Sequence, residues 1–138
     1  MIALLAGALL GACGGQAATT PKPSPTAEPA LARQAKRAGE IVVRGEASPR
    51  SHGPFTFRGR YTVRFEQIAP EDPSLNFRGE TSFVATLDRR PEEEAADSRR
   101  LFRAARRSGA RRITLDGRFY VDVAFGDFPY VIRFTPAR

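Results

Sequence analysis

The sequence predicts a mainly β protein: an antiparallel β-sandwich of jelly-roll-like form, or a flattened barrel, with about six strands and one short helix. Three observations predict this fold. Apolar and polar residues alternate with period two from residue 40 onward, and clusters of turn-forming residues separate the alternating segments. The hydrophobic fraction of 41%, with ten Phe and three Tyr, is enough for one core in a domain spanning residues 40–138.

The amino-terminal part of this domain contains the clearest strand pattern. EIVVRGE, Glu40–Glu46, predicts a first strand, and SPRSHGP, Ser48–Pro54, predicts a loop. In FTFRGRYTVRFEQ, residues 55–67, apolar and polar residues take opposite faces, so a long strand with one buried face is predicted, bent at Gly59. Its apolar residues are Phe55, Phe57, Tyr61, Val63 and Phe65.

The next segment leads the chain out of the sheet and back into it. IAPEDPSLNFRG, residues 68–79, contains two prolines and several turn formers, which favours a loop. TSFVATL, Thr81–Leu87, then predicts a strand, because Phe83, Ala85 and Leu87 share one side.

Arg90–Ser108 is the one segment that predicts a helix. Pro91 suits a first helical turn, Glu92–Glu94 lie where the helix dipole favours anions, and arginines lie near its negative end. The apolar stripe is thin, so a shorter helix capped by Asp97 and a strand around Leu101–Ala105 are the alternatives.

The carboxy-terminal segment predicts strands again. In Ile113–Val123, Asp116-Gly117 separates two apolar runs and favours a type I′ hairpin turn. Tyr130–Pro136 predicts the last strand. The tail GRFYVDVAFGDFPYVIRFTP resembles the closing strands of small secreted β-sandwich modules of the pre-peptidase carboxy-terminal type. Over these twenty or so residues, the resemblance implies an accessory, non-catalytic unit and identifies no site.

The amino terminus carries an export pattern. The apolar run Ile2–Ala12 is too short for a permanent membrane span but is typical of a secretory signal. It ends at Leu10-Gly11-Ala12-Cys13, which resembles the lipobox of bacterial lipoproteins. That resemblance implies a diacylglyceryl group on Cys13 and cleavage before it. No basic residue precedes the apolar run, a departure that an annotated start placed too late would explain.

Three regions are therefore predicted. Residues 1–12 form a lipoprotein signal peptide, residues 13–39 form a lipidated cysteine with a flexible Pro/Ala/Thr-rich tether, and residues 40–138 form the β domain. A helical turn within ALARQAKRA, Ala30–Ala38, is conceivable but is not part of this prediction.

Residues for metal, cofactor or catalytic chemistry are few. A single cysteine excludes an internal disulfide and a multi-cysteine zinc site, and there is no glycine-rich phosphate loop. His52, the sole histidine, lies in RSHGP without a nucleophile motif, and a solvated loop residue is favoured over a catalytic one. Calcium at Glu71, Asp72 or Asp127 is the weaker metal alternative. We predict no catalytic residue, no metal and no cofactor.

Arginine dominates the charge. The formal net charge is +7, and only two of the 22 basic residues are lysines. One cluster, Arg58, Arg60 and Arg64, lines the polar face of the long predicted strand, and a second spans residues 99–112. Either acidic neighbours offset the second cluster or an external polyanion does, and a plain solvated surface is the alternative. Its candidate anion contacts are Arg99, Arg103, Arg106, Arg107 and Arg111.

These observations predict an exported cell-envelope lipoprotein, anchored to a membrane through Cys13, whose β domain is a non-catalytic binding or structural module. The alternative is a small envelope hydrolase or an enzyme inhibitor. The expected partners are membrane lipid through Cys13, anionic lipid or an envelope polymer, and a protein. Nucleic acid is not expected, because the chain is exported.

Overall fold

Six antiparallel strands and one short helix make up the described part of the chain. The structure is a computed structural model and describes residues 30–68, 82–89 and 98–138. This confirms the predicted mainly β fold. The elements are α1 (Ala30–Arg33), β1 (Ile41–Gly45), β2 (Arg50–Gln67), β3 (Ser82–Asp88), β4 (Arg99–Ala105), β5 (Ser108–Gly126) and β6 (Tyr130–Pro136).

All six strands belong to one sheet. The strand order is β1-β6-β2-β5-β3-β4, and every neighbouring pair is antiparallel. The sheet is open, with β1 and β4 at its two ends, so it is not a closed barrel.

The long strands β2 and β5 form a central ribbon that changes direction along its length. Glycines with positive φ lie near the middle of both strands, Gly59 at 99° and Gly117 at 113°. A positive φ departs from extended strand geometry. Glycine is the residue that adopts such a φ without strain. One half of the ribbon, β2 residues 61–67, pairs with β6, and the other half, β5 residues 120–126, pairs with β3.

Aromatic contacts show that the sheet folds over itself. In a flat sheet, β2 and β3 would lie about 10 Å apart because β5 separates them. The rings of Phe65 on β2 and Phe83 on β3 are nevertheless stacked with their centroids 4.4 Å apart, and Phe65 also lies 4.5 Å from Phe102 on β4. The two halves therefore face each other as the layers of a sandwich do.

The folded sheet has an inner face and an outer face. The inner face holds the core, and its β2 contribution alternates along the strand as predicted, with Phe57, Tyr61, Val63 and Phe65 all buried. The outer face of the ribbon carries the even-numbered residues of β2 from Thr56 to Glu66 and their β5 partners. Arg58, Arg60 and Arg64 lie there and are exposed, as the alternation predicts.

The predicted helix over residues 90–108 is wrong for the part that is described. Residues 90–97 lie outside the described residues, and Arg99–Ala105 form strand β4, paired with β3. The alternative strand around Leu101–Ala105 is confirmed. Good helix formers occupy a strand here because pairing with β3 and burial of Leu101 and Phe102 outweigh intrinsic propensity.

The hairpin turn predicted at Asp116-Gly117 is also wrong. Strand β5 continues through both residues, with Asp116 opposite Arg58 and Gly117 opposite Phe57. The positive φ of Gly117 is real, but it bends a long strand instead of closing a turn. Part of the predicted loop Ser48–Pro54 is likewise strand, because β2 begins at Arg50.

The one described helix lies in the segment assigned to the tether. Leu31 and Ala32 of α1 are buried against Val131 and pack on Val42, which covers the outer face of β6 and β1. We call residues 30–40 the N-terminal strap. Residues of the predicted tether therefore pack on the outer face of the sheet.

Candidate functional site

The predicted lipidation site, Cys13, lies outside the described residues, as do Glu71 and Asp72. The five candidate anion contacts are described, and all five side chains are exposed. They do not form one patch. Arg103 pairs with Val84 and shares its outward side, whereas Arg99 and Arg111 lie opposite the buried residues Leu87 and Val63, at inner-face positions.

Arg111 and Arg99 bridge a seam between two strands that do not pair. Arg111 Nη1 donates hydrogen bonds to the carbonyl oxygens of Arg100 and Leu101 on β4, at 2.7 and 2.9 Å. Arg99 Nη1 lies 3.5 Å from the carbonyl oxygen of Thr114 on β5. These guanidinium groups therefore act as links between β4 and the amino-terminal half of β5, which reduces their freedom to bind an external anion.

Arg106 and Arg107 form the short connection between β4 and β5. Their carbonyl oxygens accept hydrogen bonds from Gln67, at 3.1 Å from the side-chain Nε2 and at 2.8 Å from the backbone N–H. This fixes the connection against the end of β2 and leaves both side chains exposed.

His52 belongs to β2 and contacts the core. Its Nε2 lies 2.8 Å from the hydroxyl of Tyr130, and the two rings meet edge to face. Burial, with Arg50 nearby, lowers the pKa of His52, and burial raises the pKa of Tyr130 to about 12. A neutral imidazole and a protonated phenol therefore share one hydrogen bond across the two halves of the sheet. The described geometry gives His52 a phenol as its partner, not a serine.

The carboxylates Asp116, Asp122 and Asp127 lie at separate positions along β5 and the β5–β6 connection. Asp116 faces outward opposite Arg58, and Asp127 is exposed in the β5–β6 connection. Burial raises the pKa of Asp122, and the nearby carboxylate of Asp88 raises it further. Within residues 30–68, 82–89 and 98–138, no three His, Cys, Asp or Glu residues come together in a group that could hold a metal ion.

Arg133, a buried arginine on the outer face, was not predicted as a site residue from the sequence. Arg133 and Glu40 form an ion pair at 2.8 Å, with both side chains 3% exposed. Arg133 Nε donates to the carbonyl oxygen of Leu31 at 2.7 Å, and its Nη atoms donate to those of Gln34 and Ala35. The signal was present: Arg133 is the one charged residue in the apolar run Tyr130–Phe134.

A second outer-face site combines residues from β2, β5 and the carboxy-terminal segment. A surface cavity of about 350 Å³ is lined by Arg60, Tyr61, Thr62, Arg112, Ile113, Thr114, Ala137 and Arg138. The alternation in β2 predicts that Arg60 and Thr62 face outward. Their proximity to Arg112 depends on the strand register, which the sequence does not reveal.

Comparisons with known proteins do not assign a family. No protein-family model matches the chain, and neither a curated protein nor a solved structure matches it. Among the described residues, no helix has the length and apolar character needed to cross a membrane. Function must therefore be inferred from the residues and their geometry.

Proposed function

We propose that this chain is a lipid-anchored protein of the bacterial cell envelope, with its β domain on the extracytoplasmic side as a non-catalytic binding or structural module. The observation that carries this proposal is the sequence Leu10-Gly11-Ala12-Cys13 after an apolar run. Two small residues before a cysteine suit a narrow protease site, and the thiolate is the group that a lipid donor alkylates.

The position of the strap supports a short connection to the membrane. In this proposal the linker comprises residues 14–29, up to the first residue of the strap, and it includes four prolines. Sixteen residues at about 3.1 Å each would span on the order of 50 Å when extended. A domain on such a linker reaches lipid head groups and nearby envelope polymers, which are the polyanions that an exported basic protein meets.

The local chemistry supports a module over a hydrolase. The histidine hydrogen-bonds a core tyrosine, and arginines line three surface cavities formed by described residues. His52 lines none of these three. Guanidinium groups bind and position anions, whereas hydrolysis also needs an activated nucleophile or water.

The proposal is tested by lipid labelling of the full chain in a bacterial host supplied with an alkyne fatty acid. We expect label on the wild-type protein and none on Cys13→Ser. The matched control is the double variant Cys13→Ser/Ser24→Cys, which keeps one thiol in the linker but lacks the motif and should also stay unlabelled. Label on either variant, or none on an exported wild-type chain, would overturn the proposal.

A further inference from the structure

The outer face of the central ribbon places two arginines and two threonines in a square. The register sets Arg60 opposite Thr114 and Thr62 opposite Arg112. Because directly opposed residues on one face are about 5 Å apart and diagonal ones about 7–8 Å, the two guanidinium groups occupy one diagonal and the two hydroxyls the other. We call this group, with the cavity it lines, the Arg60–Arg112 cradle.

The cradle is closed on one side by the end of the described chain. The N–H of Ala137 donates a hydrogen bond of 2.9 Å to the carbonyl oxygen of Arg60, which fixes this segment beside β2. Arg138 also lines the cavity and adds a third arginine. The result is a concave site of about 350 Å³ with cationic residues on two sides and hydroxyl-bearing residues between them.

Asp116 is diagonal to Arg60 in the strand register, but no acidic side chain of the described residues forms an ion pair with Arg60 or Arg112. Asp116 lines the neighbouring cavity that contains Arg89 and Arg99, and Glu40 lines the one that contains Arg133. The cradle lining includes neither Asp nor Glu, and the guanidinium groups of Arg60 and Arg112 have no ion pair or hydrogen bond with a described residue. Like charges on a diagonal repel each other, so an anion between them is favoured.

The donor set selects a phosphate group. Arginine presents its N–H groups as a planar fork that matches two oxygens of a phosphate, and threonine hydroxyls donate to further oxygens. A phosphate presents oxygens in several directions, as donors around a concave site require. A carboxylate presents only two oxygens in one plane and would leave the opposite wall unused.

The strap indicates where this phosphate comes from. The N–H of Leu31 donates to Glu66 Oε2 at 3.2 Å, so the strap begins on the same outer face of β2 as the cradle. Glu66 and Thr62 are four residues apart on that strand, or about 13 Å. Under the proposed function, on which this step rests, the lipid anchor joins the domain on this face. We infer that the Arg60–Arg112 cradle binds the phosphate of an anionic phospholipid head group in the anchoring membrane.

Vesicle binding tests this inference without the lipid anchor. The full chain carrying Cys13→Ser is sedimented with vesicles of phosphatidylcholine, with and without phosphatidylglycerol. We expect binding that depends on phosphatidylglycerol and falls about 25-fold in Arg60→Gln/Arg112→Gln, since each basic residue near an anionic surface is worth about fivefold. The matched control, Arg100→Gln/Arg118→Gln, removes the same charge from exposed positions that are outside the cradle and are not candidate anion contacts, and it should lose less than about fivefold.

Each other outcome overturns the inference. Equal losses in the two double variants would mean diffuse attraction without a cradle, and no loss would mean that the cradle is not used. Calorimetric binding of inorganic phosphate to the cradle, without vesicle binding, would identify a free-phosphate site. Cys13 labelling is a separate measurement: unlabelled wild type with an intact 25-fold loss would overturn the proposed function and keep the phosphate site.

Discussion

Two arginine regions share the outer face of this sheet and differ in how their charge is compensated. At the strap, Arg133 is 2% exposed, and its donors reach the Glu40 carboxylate and three backbone carbonyls. At the cradle, Arg60 and Arg112 are exposed, and their guanidinium groups have no ion pair or hydrogen bond with a described residue. Burial of a cation requires partners inside the fold, so the first region stabilises the protein and the second stays available for an external anion.

The largest expected effect is the loss of the buried cation. Arg133→Met would leave Glu40 buried without its partner and would free three strap carbonyls, so we expect about 3–5 kcal/mol less stability in urea unfolding of the full chain. The matched control is Arg64→Met, which changes the exposed residue directly opposite Arg133 and should stay within about 0.5 kcal/mol.

The double variant Arg133→Met/Glu40→Leu separates lost attraction from a stranded charge. Replacing both partners by apolar groups is often nearly neutral, so this variant should recover much of the loss. If Arg133→Met alone lowers the free energy of unfolding by less than about 1 kcal/mol, the buried arginine does not stabilise the fold, and the contrast between the strap and the cradle is wrong.

The next effect is a pH dependence that the strap region should show and the cradle should not. Burial raises the pKa of Glu40, but hydrogen bonds from the Arg37 N–H and Thr135, together with Arg133, outweigh it and leave the pKa below 4.5. The unfolded chain then binds more protons than the folded one, so this contribution is present above pH 4.5 and is lost as pH falls through the folded pKa.

Unfolding free energies measured against pH would show this loss in the wild type. The variant Glu40→Gln should be less stable at neutral pH, because Arg133 keeps its carbonyl partners but loses its counter-ion, and its acid-dependent loss should be smaller. An unchanged pH profile in Glu40→Gln would place the acid sensitivity elsewhere.

The contrast also shows which features the sequence could predict. Period-two alternation predicted the buried and exposed faces of β2, because successive side chains of a strand point to opposite faces and only one face of β2 is buried. Along β6 no alternation remains, since the inner face packs in the core and the strap covers the outer one, which leaves Val131, Ile132 and Arg133 all buried. The packing of the strap on β6 is a tertiary contact, and it leaves no periodic pattern in the local sequence.

The errors at β4 and β5 have the same cause. Arg and Ala favour a helix locally, but Arg99–Ala105 gains a ladder with β3 and buries two adjacent apolar residues across a register shift. Asp116-Gly117 has turn chemistry, yet the register with β2 continues through it. The cradle follows the same rule, because its pairs Arg60–Thr114 and Thr62–Arg112 exist only once the register is set.

A smaller effect is expected at the β4–β5 seam. Arg111→Gln removes two hydrogen bonds to β4 carbonyls, but the side chain is exposed and water replaces part of the loss. We therefore expect the free energy of unfolding to fall by about 1 kcal/mol. Backbone amides of β4 should exchange their hydrogens faster. The control is Arg112→Gln, the next residue, which faces outward. Equal exchange in both variants would show that Arg111 does not hold the seam.

The smallest effect has the opposite sign and gives the sharpest test of the comparison. Arg60 and Arg112 lie on a diagonal about 7–8 Å apart, where two unit charges in water repel by about 0.5 kcal/mol. Arg112→Gln should therefore raise the unfolding free energy by a few tenths of a kcal/mol at low ionic strength. The gain should vanish at about 1 M salt, where the screening length is about 3 Å. If Arg112→Gln instead lowers stability by more than about 1 kcal/mol, Arg112 has a structural partner and its charge is compensated as that of Arg133 is.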